Sequence, residues 1–303
     1  MLMQAVETYL AVRRAAGFKL EDAERYLRDF ARFSSTQGDQ HVVAQTAIAW
    51  AVQGRSETQR DNRLQTVIRF ARFVRAEDPC HEIPPEQVFC RRRQRPTPYI
   101  FTDQDIQALL AQAACLGPSG SLRAQTYTTL FGLLAVTGLR IAEALALRFK
   151  DITPDGLVIR ETKFRKSRLV PLHETTTAAL QRYLVKRSEL GLDDDHVFVS
   201  RRRRPLGDHA VRVTFYQLLA AASIPEGPGR PRPRLMDFRH TFATRALATC
   251  PDDRDAIRRH MLALTTYLGH ARVESTYWYQ QSTPQLLGAI AQACEACFGR
   301  AEV

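Results

Sequence analysis

The most informative stretch of this chain is residues 268–280, LGHARVESTYWYQ, in which His270 precedes Tyr279 by nine positions. Two earlier stretches carry arginines: residues 236–247 read MDFRHTFATRAL and contain Arg239, and residues 137–147 read TGLRIAEALAL and contain Arg140. A guanidinium stays charged at any working pH, and its planar fork can bind two phosphate oxygens at once. A tyrosine can act as a covalent nucleophile. Together the three stretches predict chemistry on a phosphate diester.

The charge balance favours a polyanionic partner. The 303 residues include 43 Lys+Arg and 32 Asp+Glu, which gives a formal net charge of +11 in an otherwise ordinary globular composition. Such an excess attracts phosphates by steering and by counterion release. The longest apolar stretch, around Leu130 to Leu139, is too short to cross a bilayer, and the amino terminus lacks the layout of a signal peptide. We therefore expect a cytoplasmic protein with no membrane association.

The cysteines give no sign of a disulfide framework or a metal site. The six are scattered, which suits a reducing compartment. Cys294 and Cys297 form a C-x-x-C, but no second ligand pair follows, and packing on a helix is their ordinary use. Acidic clusters with metal-ligand character are also lacking in the sequence. We expect neither a metal nor a cofactor.

Residues 1–80 are predicted to form a helical domain. Apolar residues recur with the helical period, most clearly from Leu64 to Val74, and Gly17, Gly38 and Gly54 fall between the apolar stretches as loop residues do. Arginines recur at multiples of three along the last helix. They either contact a phosphate backbone or form a solvated helix face. They are Arg60, Arg63, Arg69, Arg72 and Arg75.

Residues 81–101 are predicted to be a basic, proline-rich linker, because their prolines rule out a continuous helix. The cluster Arg91, Arg92 and Arg93 gives this linker its own affinity for phosphate. A second domain, residues 102–303, is expected to begin with Thr102 as a helix N-cap ahead of Asp103 and Asp105.

The second domain is predicted to be mostly helical with a small antiparallel sheet. A helical stretch covers Leu130 to Leu147, and helix returns at 175–186 and from Leu235 onward, apart from a break at Pro251. Two β-like runs, residues 157–159 and 169–172, flank a turn at 163–167, and residues 196–200 form another strand-like run. The fold class is therefore mainly α with a small antiparallel β-sheet.

The ordered set of motifs resembles the tyrosine recombinase family, which includes the phage integrases, Cre and the Xer proteins. T-G-L-R-I-A-E fits the segment that in the family holds the first catalytic arginine and its acidic supporter, here Arg140 and Glu143. The resemblance implies an N-terminal helical core-binding domain that clamps DNA together with a C-terminal catalytic domain. It covers roughly Thr102 to Tyr279 with specific motifs.

By the same resemblance, Arg239 is the second catalytic arginine, His270 contacts the scissile phosphate and Tyr279 is the nucleophile. Tyr277 and Tyr267 compete with Tyr279, but a residue two positions away faces roughly the opposite side of a helix. The segment ETKFRKSRLVPL matches the family's β-hairpin motif. In that motif Lys163 is the general acid for the leaving 5′ oxygen, and Lys166 and Arg168 are DNA-facing or structural.

One position departs from the family pattern. Members commonly read H-x-x-R, whereas this chain has Met236 three residues before Arg239. A thioether neither donates a hydrogen bond nor carries a charge, so one phosphate or proton-transfer contact is absent or comes from elsewhere. His240 points to another face, since one residue turns about 100° around a helix; we interpret it as a core histidine.

The resemblance implies a site-specific recombinase of the integrase or transposase type that cleaves double-stranded DNA through a 3′-phosphotyrosyl link without a metal or high-energy cofactor. Four protomers would assemble on two DNA sites, with the terminal helix (residues 286–298) docked on a neighbour or on its own domain. The T-Y-W-Y-Q ending is similar to bacterial transposon recombinases encoded in sets of three, which suggests sister recombinases and association with the nucleoid. The alternatives are an accessory DNA-binding subunit that no longer cleaves, and a type IB topoisomerase-like enzyme.

Overall fold

The computed structural model describes residues 2–89, 97–118, 120–160, 167–224, 231–249, 253–269 and 276. The chain forms two compact units, Met1–Arg95 and Pro96–Val303, called here the N-terminal unit and the C-terminal unit. Within the described ranges, every helix is too short or too polar to cross a lipid bilayer.

The described part of the N-terminal unit, residues 2–89, consists of four helices around one apolar core, as the sequence predicts. They are α1 (Leu2–Ala15), α2 (Glu21–Thr36), α3 (Ala44–Val52) and α4 (Glu57–Val74). Ser56 caps α4 by accepting a hydrogen bond from the Gln59 backbone N–H at 3.2 Å, which satisfies one of the free donors at the helix start. Gly17 and Gly38 lie in turns with φ of 88° and 81°, a region that favours glycine.

The C-terminal unit is mostly helical, which confirms the predicted fold class. Its helices are α5 (Asp103–Ala114), α6 (Arg123–Thr137), α7 (Ile141–Leu145), α8 (Glu174–Ser188), α9 (Asp208–Ala221), α10 (Met236–Ala248) and α11 (Arg254–Leu268). Thr102 caps α5 as expected, because its side chain accepts from the Asp105 N–H while the Asp105 carboxylate accepts from the Thr102 N–H.

A small antiparallel sheet follows α7 and a 3-10 turn (Phe149–Asp151). Its strands are β1 (Ile152–Thr153), β2 (Gly156–Ile159) and β3 (Arg168–Val170), in the order β1-β2-β3. Leu157 pairs with Val170 and Ile159 with Arg168. This register directs Leu157, Ile159 and Val170 into the core. The two predicted β-like runs are confirmed, and most of the turn between them lies outside the described residues.

The structure corrects the sequence analysis in three places. The predicted helix Leu130–Leu147 is two helices, because Gly138 takes a left-handed conformation (φ 60°) that ends α6 and the backbone is extended at Arg140. The predicted strand at 196–200 makes only isolated bridges, Arg148 with His196 and Val199 with Pro205. Helix α9 and strand β1 were not predicted. The terminal helix expected after Tyr279 lies outside the described residues.

Aromatic packing fixes the position of α10 in the C-terminal unit. The ring of Phe238 stacks on Phe101 with centroids 4.9 Å apart and on Phe131 at 6.0 Å. The Phe101 backbone N–H donates to the Thr241 hydroxyl at 2.9 Å. These contacts hold the first turn of α10, and with it Arg239, against the end of α6.

Candidate active site

Gly138 and Glu143 place Arg140 at the entry to α7. A Cβ on Gly138 would lie 2.7 Å from Cδ1 of Phe242 on α10, so the close approach of these elements requires glycine as much as its φ does. The Glu143 carboxylate then accepts from the Arg140 backbone N–H at 3.0 Å and from its Nη1 at 2.7 Å. The side chain of Glu143 is buried, whereas 30% of the Arg140 side chain is exposed.

The Glu143 carboxylate also binds a second arginine, Arg168 on β3. Arg168 Nη1 donates to Oε1 at 3.1 Å and Nη2 to Oε2 at 2.7 Å, a bidentate pair in which each side chain is 9% exposed. Burial by itself raises the pKa of Glu143, but the hydrogen bonds from Arg168 and Arg140 and the charge of Arg168 outweigh it and lower the pKa. Glu143 is therefore a buried carboxylate that balances two guanidiniums.

Three arginines converge on consecutive carbonyl oxygens at the carboxyl end of α11. Arg168 Nε donates to the Tyr267 carbonyl at 2.7 Å, Arg239 Nη2 to that of Leu268 at 2.5 Å, and Arg140 Nη2 to that of Gly269 at 3.5 Å. The last carbonyls of a helix have no partner within the helix and carry partial negative charge. The three guanidiniums therefore satisfy and stabilise this end of α11.

The two predicted catalytic arginines are linked through the same backbone. Arg239 is buried, and its Nη1 donates to the Gly138 carbonyl at 3.0 Å, two residues before Arg140. Gly269 ends α11 with a φ of 64°, and a Cβ there would lie 2.8 Å from Arg168 Nη1. Arg140 and Arg239 thus contact Gly269 and Leu268, the two residues that directly precede His270 in the sequence.

Several predicted site residues lie outside the described residues. They are Lys163, Lys166, His270, Tyr279, Arg91, Arg92 and Arg93. Thr276, three positions before Tyr279, is buried, and its hydroxyl lies 2.9 Å from that of Thr265 on α11. At that residue the chain is packed against α11.

Tyr267 is poorly suited to nucleophilic attack. Its ring stacks on Phe242 with centroids 5.3 Å apart and an interplanar angle of 16°. Burial raises the pKa of Tyr267 to about 12, even though the charges of Arg168 and Arg239 act to lower it. A phenol with a higher pKa forms the attacking phenolate less readily at neutral pH.

Met236 begins α10 and is 43% exposed, so it does not fill a pocket. His240 is mostly buried, and its Nε2 lies 3.9 Å from the carboxylate of Asp237. Asp237 accepts from the Arg234 side chain at 3.0 Å and from the Arg234 backbone N–H at 2.7 Å. The side chain at the family histidine position therefore faces outward, while that of His240 is buried one position beyond Arg239.

Two arginines named as candidate DNA contacts, Arg63 and Arg168, make contacts within the protein. Arg63 is buried, pairs with Asp29 at 2.9 Å and places its Cζ 4.0 Å from the ring centre of Trp50. Arg168 is the partner of Glu143.

The row of arginines on α4 does not lie on one face of that helix. Each step of three residues falls about 60° short of a full helical turn, so a row at multiples of three winds around the helix. Arg60 is part-buried, and its Nε donates to the Gly54 carbonyl at 2.9 Å.

Comparison with known proteins identifies the family. Residues 100–285 match the phage integrase family. The chain belongs to this family of tyrosine recombinases. It is 39% identical over 295 residues to the y4rB integrase/recombinase of Sinorhizobium fredii, covering 94% of each chain. It is 31% identical to the tyrosine recombinase XerD of Caulobacter vibrioides, covering 93% of this chain and 92% of XerD.

Solved structures of recombinases share this fold. The XerH site-specific recombinase bound to its difH substrate matches with a TM-score of 0.66 at 18% identity, over 90% of this chain and 78% of that one. The Tn1549 transposon integrase in complex with transposon right-end DNA matches with a TM-score of 0.64 at 18% identity, over 95% and 98% of the two chains. Family membership confirms the resemblance drawn from the arginine, histidine and tyrosine motifs.

Proposed function

We propose that this protein is a site-specific DNA recombinase that breaks and rejoins DNA strands through a covalent 3′-phosphotyrosyl intermediate at Tyr279. The observation that carries this proposal is the convergence of Arg140 and Arg239 on the carbonyls of Gly269 and Leu268. Two fixed positive charges at the residues that directly precede His270 in the sequence suit a scissile phosphate, because they offset the charge that builds up in a five-coordinate transition state.

Double-stranded DNA is the proposed partner. The XerH and Tn1549 relatives were solved with DNA. The net charge of +11 supports phosphate contacts. We assign residues 1–80 to core-site binding, 81–101 to a basic linker and 102–303 to catalysis. Assembly as a homotetramer on two DNA sites, with sister recombinases in a mobile element, belongs to the same proposal.

The proposed reaction is balanced without a cofactor. The Tyr279 phenol loses its proton to solvent and attacks the phosphorus, and the bond from phosphorus to the 5′ oxygen breaks as the phosphotyrosyl bond forms. Lys163 donates the proton that the leaving 5′ oxygen requires. The 5′-hydroxyl of a partner strand then gives its proton to the neutral Lys163 amine and attacks the phosphorus, and the bond to Tyr279 breaks as the tyrosine oxygen regains a proton from solvent. Guanidiniums and an ammonium here supply the charge stabilisation that metal ions provide in two-metal nucleases.

Mutation of the candidate tyrosines tests the nucleophile. Tyr279→Phe should abolish covalent attachment to a nicked suicide DNA substrate while DNA binding stays nearly intact. Tyr267→Phe is the matched control and should still form the adduct, because the Tyr267 phenol is buried and its pKa is raised. An adduct that persists in Tyr279→Phe and disappears in Tyr277→Phe would refute the assignment.

An accessory subunit that binds DNA without cleaving it is the second candidate, and Met236 is the observation in its favour. Met236 is exposed at the start of α10, at the position where the family pattern H-x-x-R has its histidine. Absence of any covalent adduct in the wild-type protein, with DNA binding retained, would favour this candidate. Strand exchange between two defined sites distinguishes recombination from topoisomerase-like relaxation.

A further inference from the structure

A cluster of histidine, aspartate and cysteine side chains lies in the N-terminal unit, whereas the residues assigned to catalysis belong to the C-terminal unit. The loop between α2 and α3 contributes His41, and the segment after α4 contributes Asp78, Cys80 and His81. One ligand atom from each of His41, Asp78 and Cys80 lies within 4.8 Å of the other two. His41 Nε2 is 3.1 Å from Asp78 Oδ2.

Backbone contacts hold the two segments together before any ligand binds. The Glu82 N–H donates to the Val42 carbonyl at 2.8 Å, and the Ala44 N–H donates to the Glu82 carboxylate at 2.7 Å. The Cys80 N–H donates to Asp78 Oδ1 at 2.9 Å, so that Oδ2 faces His41. The three candidate ligands are therefore presented from a fixed frame.

His81 supports this frame and is not itself a ligand. Its Nδ1 accepts from the Val42 N–H at 3.0 Å, which fixes the tautomer with the proton on Nε2. That nitrogen cannot coordinate a metal while it carries a proton. The buried ring packs edge-on against His41 with centroids 5.1 Å apart and restricts the orientation of the His41 ring.

We propose that His41, Asp78 and Cys80 form a binding site for a divalent transition metal, best matched by Zn²⁺, with solvent in the fourth position. Imidazole nitrogen, thiolate sulfur and carboxylate oxygen are the ligands that Zn²⁺ takes in proteins. Two ligands on a tetrahedral Zn²⁺ with bonds of about 2.0–2.1 Å lie about 3.3 Å apart, close to the observed separation of the His41 and Asp78 atoms.

The site has a structural role. It ties the loop at residues 41–44 to the segment at 78–82, which is nearly forty positions later in the chain. His41 and Asp78 are partly exposed and Cys80 is exposed, so a metal can enter from solvent without unfolding the unit. A metal that binds the folded state and not the unfolded state raises the stability of the N-terminal unit by mass action.

Cobalt titration of the full-length, metal-stripped protein tests this site. Co²⁺ should produce a thiolate-to-cobalt charge-transfer absorption that saturates at one ion per chain, and Zn²⁺ should displace it. Cys80→Ser should remove the band, and His41→Gln should weaken Co²⁺ binding by about tenfold or more. Cys115→Ser is the matched control, because Cys115 is the other exposed free cysteine among the described residues and lies in the C-terminal unit.

The outcomes separate this site from others on the chain. A band that survives Cys80→Ser and disappears when Cys294 and Cys297 are changed to serine would place the metal on the C-x-x-C and overturn the proposal. Absence of saturable binding to the wild-type protein would also overturn it. Zn²⁺ should raise the melting temperature of the wild-type protein and of Cys115→Ser, but not that of Cys80→Ser. None of these measurements depends on DNA cleavage.

Discussion

Replacement of Glu143 by glutamine should lower the stability of the C-terminal unit by more than the loss of an exposed ion pair does. The change keeps the shape of the side chain but removes its negative charge. Arg168 would remain buried against a neutral amide, and Arg140 would lose its Nη1 partner at 2.7 Å. Removing one partner from a buried pair costs about 3–5 kcal/mol, because an uncompensated charge remains in the interior.

The exposure of the Arg140 side chain determines the expected loss of stability in Glu143→Gln. Because 30% of the Arg140 side chain is exposed, water partly solvates its charge, and we take the lower end of that range, about 3 kcal/mol. For a unit of roughly 150–250 residues this corresponds to a fall in melting temperature of about 6–12 °C. The control is Asp208→Asn, whose ion pair with Arg212 is about half exposed on both sides. An exposed pair contributes about 0.2–1 kcal/mol.

The lowered pKa of Glu143 predicts how the stability difference between the wild-type protein and Glu143→Gln changes with pH. The folded-state pKa of Glu143 is lowered, so its contribution is fully present above its ordinary pKa of 4.5 and is lost as the pH falls through the folded value. Thermal melts of the wild-type protein and Glu143→Gln should therefore differ most near neutral pH and converge in acid. A difference no larger than that of Asp208→Asn, or one that stays constant down to low pH, would refute the reasoning.

Three further results are expected. Strand cleavage should persist in excess EDTA. The assay uses the Cys80→Ser variant, so that loss of a metal from the N-terminal unit does not affect the result. Cleavage that requires added Mg²⁺ would contradict the proposed chemistry. A plot of log DNA-binding constant against log salt concentration should have a slope of about −0.9 per phosphate contact. Arg63→Gln should leave this slope unchanged, because Arg63 is buried against Trp50. A shallower slope in that variant would show that Arg63 contacts DNA. Met236→His should keep the melting temperature, since Met236 is exposed. It should raise the single-turnover cleavage rate or change the pH profile of that rate near about 6.5, because a single transition-state donor contributes about 10²–10³ in rate. An unchanged rate profile would show that this position takes no part in the reaction.

Features of the fold that depend on local signals were predictable from the sequence. Thr102 followed by Asp105 is a capping box whose two hydrogen bonds close within one turn, and the structure contains both. The β-like run at 157–159 forms a strand because its apolar residues face a core that the register with β3 completes. The break at Gly138 was harder to predict, because apolar residues continue through it with helical spacing. Glycine is required there by the left-handed φ and by the contact with Phe242 on α10, and both are visible only in the folded chain.

Roles that depend on tertiary contacts could not be predicted from the sequence. Arg63 and Arg168 are charged residues in basic stretches, and sequence alone cannot distinguish a solvated guanidinium from one buried against a carboxylate. Asp29, which pairs with Arg63, is 34 positions away, and Glu143, which pairs with Arg168, is 25 positions away. The cluster of His41 with Asp78 and Cys80 was missed for the same reason, since its members lie at opposite ends of the α3–α4 segment.

The carboxyl end of α11 connects the arginines to the segment that contains the proposed nucleophile. Arg168, Arg239 and Arg140 come from β3, α10 and the start of α7, yet they bind three consecutive carbonyls, those of residues 267–269. A shift of α11 along its axis would disturb all three contacts at once. Because Glu143 also joins Arg140 to Arg168, the guanidiniums share one network and cannot move independently. The same contacts that position the arginines therefore fix the backbone of residues 267–269, which directly precede His270 in the sequence.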